Sequence, residues 1–273
     1  MGQGLVIRVR RYGEIVQLAM ARTILGRPLF VVCAYAVDGL LWDTGPPAIT
    51  AEFRRRLADL EIRQAVLSHA HEDHVGSNGV LAARGIVPRA HALALPALAH
   101  PPRLQLYRRI VWGIPAPSTA AVVEPDVATP RYHFRVLHTP GHSPDHLCLF
   151  EERRRWLFSG DLFLSPFVKV MRADEDPHAL ITSLRRVLAL PVEVVLCSSG
   201  RIVEDGGGAL RQKLDFLERL RDEARRRAAR GQDADGIRRD LLGAEGRFRL
   251  VTGGHFSKQN LIDALLREAP AGP

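Results

Sequence analysis

Cysteine, lysine and aromatic residues are all scarce in this 273-residue chain, and each scarcity narrows what it can do. The three cysteines, Cys33, Cys148 and Cys197, lie far apart among apolar neighbours. They offer no disulfide framework and fit reduced core thiols in a cytoplasmic protein. No apolar run approaches the roughly 20 residues of a membrane span. The chain enters Leu5-Val6-Ile7-Arg8-Val9 without a signal-peptide stretch. A cytoplasmic protein with no membrane partner is therefore expected. Only Lys169, Lys213 and Lys258 are lysine among 38 basic residues, a bias that reads as codon pressure rather than a selected patch. Aromatics make up 6% of the chain, and none interleaves with the arginine runs at 54–56, 153–155 and 225–227. A nucleic-acid surface would need such stacking residues, so the net charge of +8 reads as solvated faces. A small-molecule substrate is expected instead, with the oligomeric state left open.

What the chain has in abundance is local. Ser68-His69-Ala70-His71-Glu72-Asp73-His74 packs His69, His71, Asp73 and His74 into a His-x-His-x-Asp-His spacing. Burying imidazoles and carboxylates is costly unless something pairs them, and a divalent metal accepts both as ligands. Gln64 to Ser68 reads as a strand and Val75 to Arg84 as the helix that follows. Alternate side chains of an extended segment share a face, so His69 and His71 can hold one ion together. Asp73 and His74, turned by the incoming helix, can point to a second position beside it.

Further motifs follow in order: Leu137-His138-Thr139-Pro140-Gly141-His142 after one strand-like run, then Ser159-Gly160-Asp161 after another. Together with Leu41-Trp42-Asp43-Thr44-Gly45 upstream, this succession resembles the metallo-β-lactamase superfamily from about Val31 to Gly200. The resemblance implies a mixed α/β (α+β) chain, a four-layer αββα sandwich, with residues 1–205 as the catalytic domain and 206–273 as a helical C-terminal extension. It implies His69, His71 and His142 as ligands of a first metal, and Asp73 and His74 as ligands of a second, with Asp161 bridging them. Asp43 becomes an outer acid that fixes a ligand, although alone it reads equally as a turn residue capping its own backbone. His146 reads as a hydrogen-bonded neighbour or core residue rather than a ligand.

One position departs from the family pattern. A further His is expected after the last sheet strand, and Cys197-Ser198-Ser199-Gly200-Arg201 stands there instead, with Ser199 at the matching place. A neutral hydroxyl is a poor zinc ligand, so either one metal or a weakly held second is expected. His255 is a candidate substitute, but reads more simply as a loop residue beside a helix cap. The proline-rich stretch 100–118, carrying Tyr107, is either a lid or a packed surface helix. Lys169 and Arg172, soon after Asp161, are candidates to pair with an anionic group on the substrate. Gly206-Gly207-Gly208 is expected to break the chain before the amphipathic helical tail.

The chemistry this implies is hydrolysis. A metal lowers the pKa of bound water to about 7, while Asp73 or Asp161 orients it and shuttles its proton. The expected cofactor is zinc, one or two ions, with manganese or iron as substitutes. Ester, thioester or lactone substrates come ahead of phosphodiesters or a nuclease role. The rival reading is a mononuclear non-haem iron dioxygenase of the persulfide dioxygenase type, with iron on His69, His142 and Asp161.

Overall fold

The computed structural model describes residues 4–24 and 27–268. Seven strands form the first sheet in sequence order: β1 (Gly4–Tyr12), β2 (Ile15–Ile24), β3 (Arg27–Val37), β4 (Leu40–Trp42), β5 (Gln64–Val66), β6 (Arg89–Ala90) and β7 (Ala121–Val122). The first four are antiparallel neighbours; from β4 onward the pairs are parallel, because helices and loops cross over between them. The second sheet takes β8 (Asp126–Ala128), β9 (His133–His138), β10 (Leu147–Glu151) and β11 (Trp156–Gly160). The short β12 (Met171–Arg172) lies outside it; β13 (Val194–Cys197) and β14 (Ile202–Val203) complete it, in the order β14-β13-β11-β10-β9-β8.

Strand alternation explains why the sheets stack. In β3, Cys33, Tyr35 and Val37 face a core shared with Leu147, Leu149 and Phe158 of the second sheet. The intervening Val32, Ala34 and Ala36 turn the other way, onto Phe53 and Leu57 of the helix Thr50–Ala58. In β10, Cys148 and Phe150 turn outward instead, onto the helices Pro177–Leu188, Gly206–Ala228 and Lys258–Leu266. The result is helices, sheet, sheet, helices: a four-layer sandwich with its main core between the sheets.

Several local expectations are revised. The expected helix Val75 to Arg84 is two short helices, Glu72–Val75 and Asn78–Ala82. At Gly76, between them, a Cβ would stand 2.1 Å from Pro47 Cδ, so the chain there runs too close to residue 47 for any side chain. Thr50 is the first residue of the helix Thr50–Ala58, its hydroxyl bonding back to the Pro47 carbonyl of the preceding turn Pro47–Ile49 at 2.8 Å. The three glycines at 206–208 do not break the chain. They are the first turn of Gly206–Ala228, where Asp205 caps the Gly208 amide at 3.0 Å. Ser257 caps the last helix through the Asn260 amide at 2.9 Å.

A two-residue ladder joins the tail to the region after Asp161. Met171 and Arg172 of β12 pair antiparallel with Ser257 and Phe256 of β15 (Phe256–Ser257).

Candidate metal centre

The site forms where the loop leaving β5 meets the ends of β4, β9 and β11. Asp43, just after β4, adopts a left-handed backbone (φ 64°) that aims its carboxylate at this loop. It accepts the Ser68 amide at 2.7 Å and the Ser68 hydroxyl at 2.8 Å, fixing the loop at its first residue. The Leu147 amide bonds the Ser68 carbonyl at 2.7 Å, tying the second sheet to the same point.

Three ring nitrogens then converge. His71 Nδ1 lies 2.6 Å from His69 Nε2 and 3.0 Å from His142 Nε2. Three imidazoles turned on one point form a donor set that nitrogen-binding metals take at about 2.0–2.1 Å. Burial holds His69 and His71 well below the ordinary histidine range, and neighbouring cations push the same way, so both are neutral and suited to ligation.

A second cluster, formed by His69, His74 and Asp161, adjoins the first, and the expected ligand Asp73 stands beside it rather than in it. His74 Nε2 stands 3.3 Å from Asp161 Oδ1 and 3.8 Å from Asp73 Oδ2, while Asp161 Oδ2 stands 3.1 Å from His142 Nε2. Asp161 therefore turns one oxygen toward His74 and the other toward His142. The Nδ1–H of His74 bonds Asp43 at 2.8 Å, leaving Nε2 buried with no hydrogen-bond partner among the described residues. Such an orphaned nitrogen, beside two carboxylates, fits a cation between them. Burial alone would lower His74, but Asp161, Asp43 and Asp73 outweigh it and hold it well above its ordinary value. Burial would likewise raise Asp161, yet His142, His74 and the Ser198 hydroxyl hold it well below the usual carboxylate range.

The supports around these clusters are buried or nearly so. Glu175 holds His142 Nδ1 at 3.0 Å, and the Ser68 hydroxyl lies 2.9 Å from His69 Nδ1. His146 accepts the Asp161 amide on Nε2 at 3.0 Å, so its other nitrogen carries the proton and meets the Thr139 hydroxyl at 2.8 Å. It thus fixes the backbone of Asp161 rather than facing the clusters. Lys213, from the helical tail, donates to the Leu162 carbonyl at 2.6 Å, pinning the turn from below; burial pulls its pKa down to about 8.

Above the clusters opens a cavity of about 400 Å³, walled by Phe30, Val32, Trp112, Leu164, Phe248 and Phe256. Arg172 and Tyr107 reach into it. Arg172 is buried, held by Asp174 through two 2.9 Å hydrogen bonds, with Nη2 2.9 Å from His71 Nε2. Tyr107 bonds His255 Nδ1 at 2.6 Å, and burial raises its phenol to about 12. His255 thus sits between Tyr107 and Asp174 (3.7 Å), outside both ligand clusters. Lys169 is exposed and does not line the cavity. Ser199 lines the cavity, but its hydroxyl turns 3.0 Å from Cys197 Sγ. Its neighbour Ser198 is the one that donates to Asp161 Oδ1.

A family model described as the metallo-beta-lactamase superfamily matches residues 28–199. The chain belongs to that superfamily. A metallo-beta-lactamase family protein from Thermus thermophilus superposes with a TM-score of 0.66 at 18% identity, covering 93% of this chain and 91% of that one. Among sequence relatives, an uncharacterized protein from Aquifex aeolicus is 32% identical over 62% of this chain and 84% of its own length. An atrochrysone carboxyl ACP thioesterase from Aspergillus fumigatus is 25% identical over 65% of this chain. The chain matches only 49% of that thioesterase's length. Membership makes the chain a metallo-hydrolase-fold protein with a His/Asp cluster suited to a divalent metal.

Sequence reasoning passed over several residues of this superfamily member. Glu72 is almost fully buried within the ligand loop and pairs with buried Arg108 through both carboxylate oxygens. Asp145 accepts the Ala70 amide at 2.7 Å, and Glu175 and Lys213 act as described. The one available signal was Glu72, an extra acid in an already crowded motif.

Proposed function

We propose that the protein hydrolyses an ester or thioester whose acyl part is largely apolar. The observation that carries this reading is the placement of both ligand clusters on the floor of a cavity walled by aromatic and aliphatic side chains. The thioesterase named among its relatives supports the choice of bond.

His69, His71 and His142 would hold one divalent ion, and Asp73, His74 and Asp161 a second. An ion there supplies Lewis acidity and a water of lowered pKa. The protein's own groups do the rest. Asp73, beside the second cluster and lining the cavity, orients the attacking water and accepts its proton. Asp161, locked by His146 and Ser198, keeps the two clusters in fixed relation. The apolar walls bind the acyl chain and exclude bulk water. Arg172 and the Tyr107 hydroxyl offer donors to the substrate's polar end.

The test combines metal content per chain with a panel of aryl and alkyl esters, thioesters and phosphodiesters. Zinc or manganese, thioester or ester turnover, and loss of turnover in Asp73→Asn and His142→Ala are expected. A single iron per chain with oxygen consumption on thiol substrates would replace this reading with the dioxygenase.

A further inference from the structure

On the helices Thr50–Ala58, Gly206–Ala228 and Ala234–Leu242, Arg55, Arg56, Arg226, Arg227, Arg238 and Arg239 pair with acids one turn away or nearby, while Arg54, Arg211 and Arg219 on the same helices form no ion pair among the described residues. Three other segments behave differently: 100–123, 162–171 and 246–262 contain no Asp or Glu at all. Each walls the cavity, through Tyr107 and Trp112, Leu164, and Phe248 and Phe256 respectively. Their Arg103, Arg109, Lys169, Arg247 and Arg249 are exposed and form no ion pair among the described residues.

The same segments hold the chain's most exposed apolar side chains. Leu106, Ile110, Ile114, Phe167, Leu250 and Val251 are each at least half exposed, with Leu250 reaching 78%. Val122, at the end of the first segment, is also at least half exposed, and outside the three segments only Val87 and Leu93 are, among the large apolar side chains of the described residues. Of the helix Leu106–Val111, one face (Tyr107, Arg108, Val111) lines the cavity, so Leu106, Arg109 and Ile110 are left on the outer side. The helix Arg247–Val251 has no buried residue; Phe248 turns to the cavity while Leu250 and Val251 project. Phe30 joins the two segments at the rim, its ring 6.0 Å from Trp112 and 5.9 Å from Phe248.

Segments bearing aliphatic tips and unpaired cations, with the neighbouring Asp174 carboxylate engaged by Arg172, match an anionic lipid surface. Acyl-chain contact suits the aliphatic tips, and phosphate groups suit the arginines. Protein interfaces favour arginine together with aromatic residues and Met, whereas the exposed apolar side chains here are, apart from Phe167, aliphatic. We propose that the cavity mouth is a docking surface for anionic membranes, on which the apolar cavity opens toward the bilayer. Membrane partners were not expected from the sequence, because the rim is assembled from three separated segments, none of them amphipathic enough alone.

The test is co-sedimentation with vesicles and is independent of what the site catalyses. Phosphatidylcholine vesicles are compared with vesicles containing a third phosphatidylglycerol. Strong binding to the anionic vesicles only, reduced at high salt, is expected. Leu250→Ser with Val251→Ser, and separately Arg103→Glu with Arg109→Glu, should each weaken binding at least tenfold. Arg8→Glu with Arg10→Glu, an equal charge change on exposed β1 positions, should weaken it less than twofold. Unchanged melting curves would show that the variants fold. The proposal fails if anionic vesicles are not bound. It fails equally if the β1 pair weakens binding as much as the rim pair, which would mark nonspecific attraction. It also fails if the aliphatic pair has no effect, which would point to an acidic soluble partner.

Discussion

Asp43 and His74, 31 residues apart, are joined by a 2.8 Å hydrogen bond with both side chains almost fully buried. Since Asp43 takes the Nδ1 proton, His74 can offer only Nε2 to the site. Asp43→Ala removes that constraint and the two bonds that start the ligand loop. Metal affinity should fall about 10–100-fold, the usual cost of losing such an outer partner. Competition with a chromophoric chelator reads this directly; unchanged affinity would mean that Asp43 serves only the turn.

Stability of the chelated protein should depend on pH with a definite sign. His69, His71 and His146 are all lowered, first by burial, so the unfolded chain binds protons that the folded chain refuses. Their contribution is complete above the unfolded value and is lost as pH falls below about 6.5. His74, raised by its three carboxylates, acts oppositely: its contribution is full below about 6.5 and disappears as pH rises through its folded value. The two windows do not overlap: below about 6.5 the three lowered imidazoles act together, with a slope of at most about 4 kcal/mol per pH unit, and above it His74 acts alone with the opposite sign. Melting curves of EDTA-treated protein between pH 5 and 8 check this; a flat profile would contradict the buried neutral imidazoles.

Ser198, whose hydroxyl meets Asp161, is the position from which an added ligand would reach the second cluster. Ser198→His should raise the metal content at limiting supply from about one toward about two per chain. Elemental analysis and calorimetric titration measure it. No gain would mean that the Cys197–Gly200 turn cannot aim a ring at Asp161.

Gly141 holds His142 in place through close approach. Its φ is 136°, and a Cβ there would stand 2.5 Å from the Leu180 amide nitrogen. Gly141→Ala must push the helix Pro177–Leu188 away or turn His142 off the cluster. Denaturant unfolding should show a loss of about 1–3 kcal/mol, together with weaker metal binding. A variant as stable as the parent would show that the turn gives way freely.

The candidate ligands between His69 and His74 were readable in sequence because a strand, a loop and a helix start deliver them from adjacent positions. The spacing His69, His71, Asp73, His74 is itself the geometry. Glu175, Asp145, Lys213 and the Glu72–Arg108 pair were not readable, since each acquires its role only when elements far apart in the chain pack together. Lys169 and Arg172 looked alike, three residues apart. Pairing with β15 buries Arg172 against Asp174, whereas Lys169 stays in solvent. Strands β1 and β2 run several residues beyond the apolar stretches at 5–9 and 15–18. Antiparallel pairing through Gly4–Thr23 and Tyr12–Ile15 carries their polar ends along.

The outer core of the second sheet draws on both parts of the chain at once, with Leu157, Leu162 and Val195 packed against Leu210, Leu217, Leu261 and Leu265. A protease cut near residue 205 would therefore not release a trimmed enzyme and a loose lid. It would strip one face of the sheet and remove Lys213 from beneath the Asp161 turn. Grafting another protein's tail would mean redesigning the sheet that receives it, so what the cavity admits and how firmly its floor is built must change together.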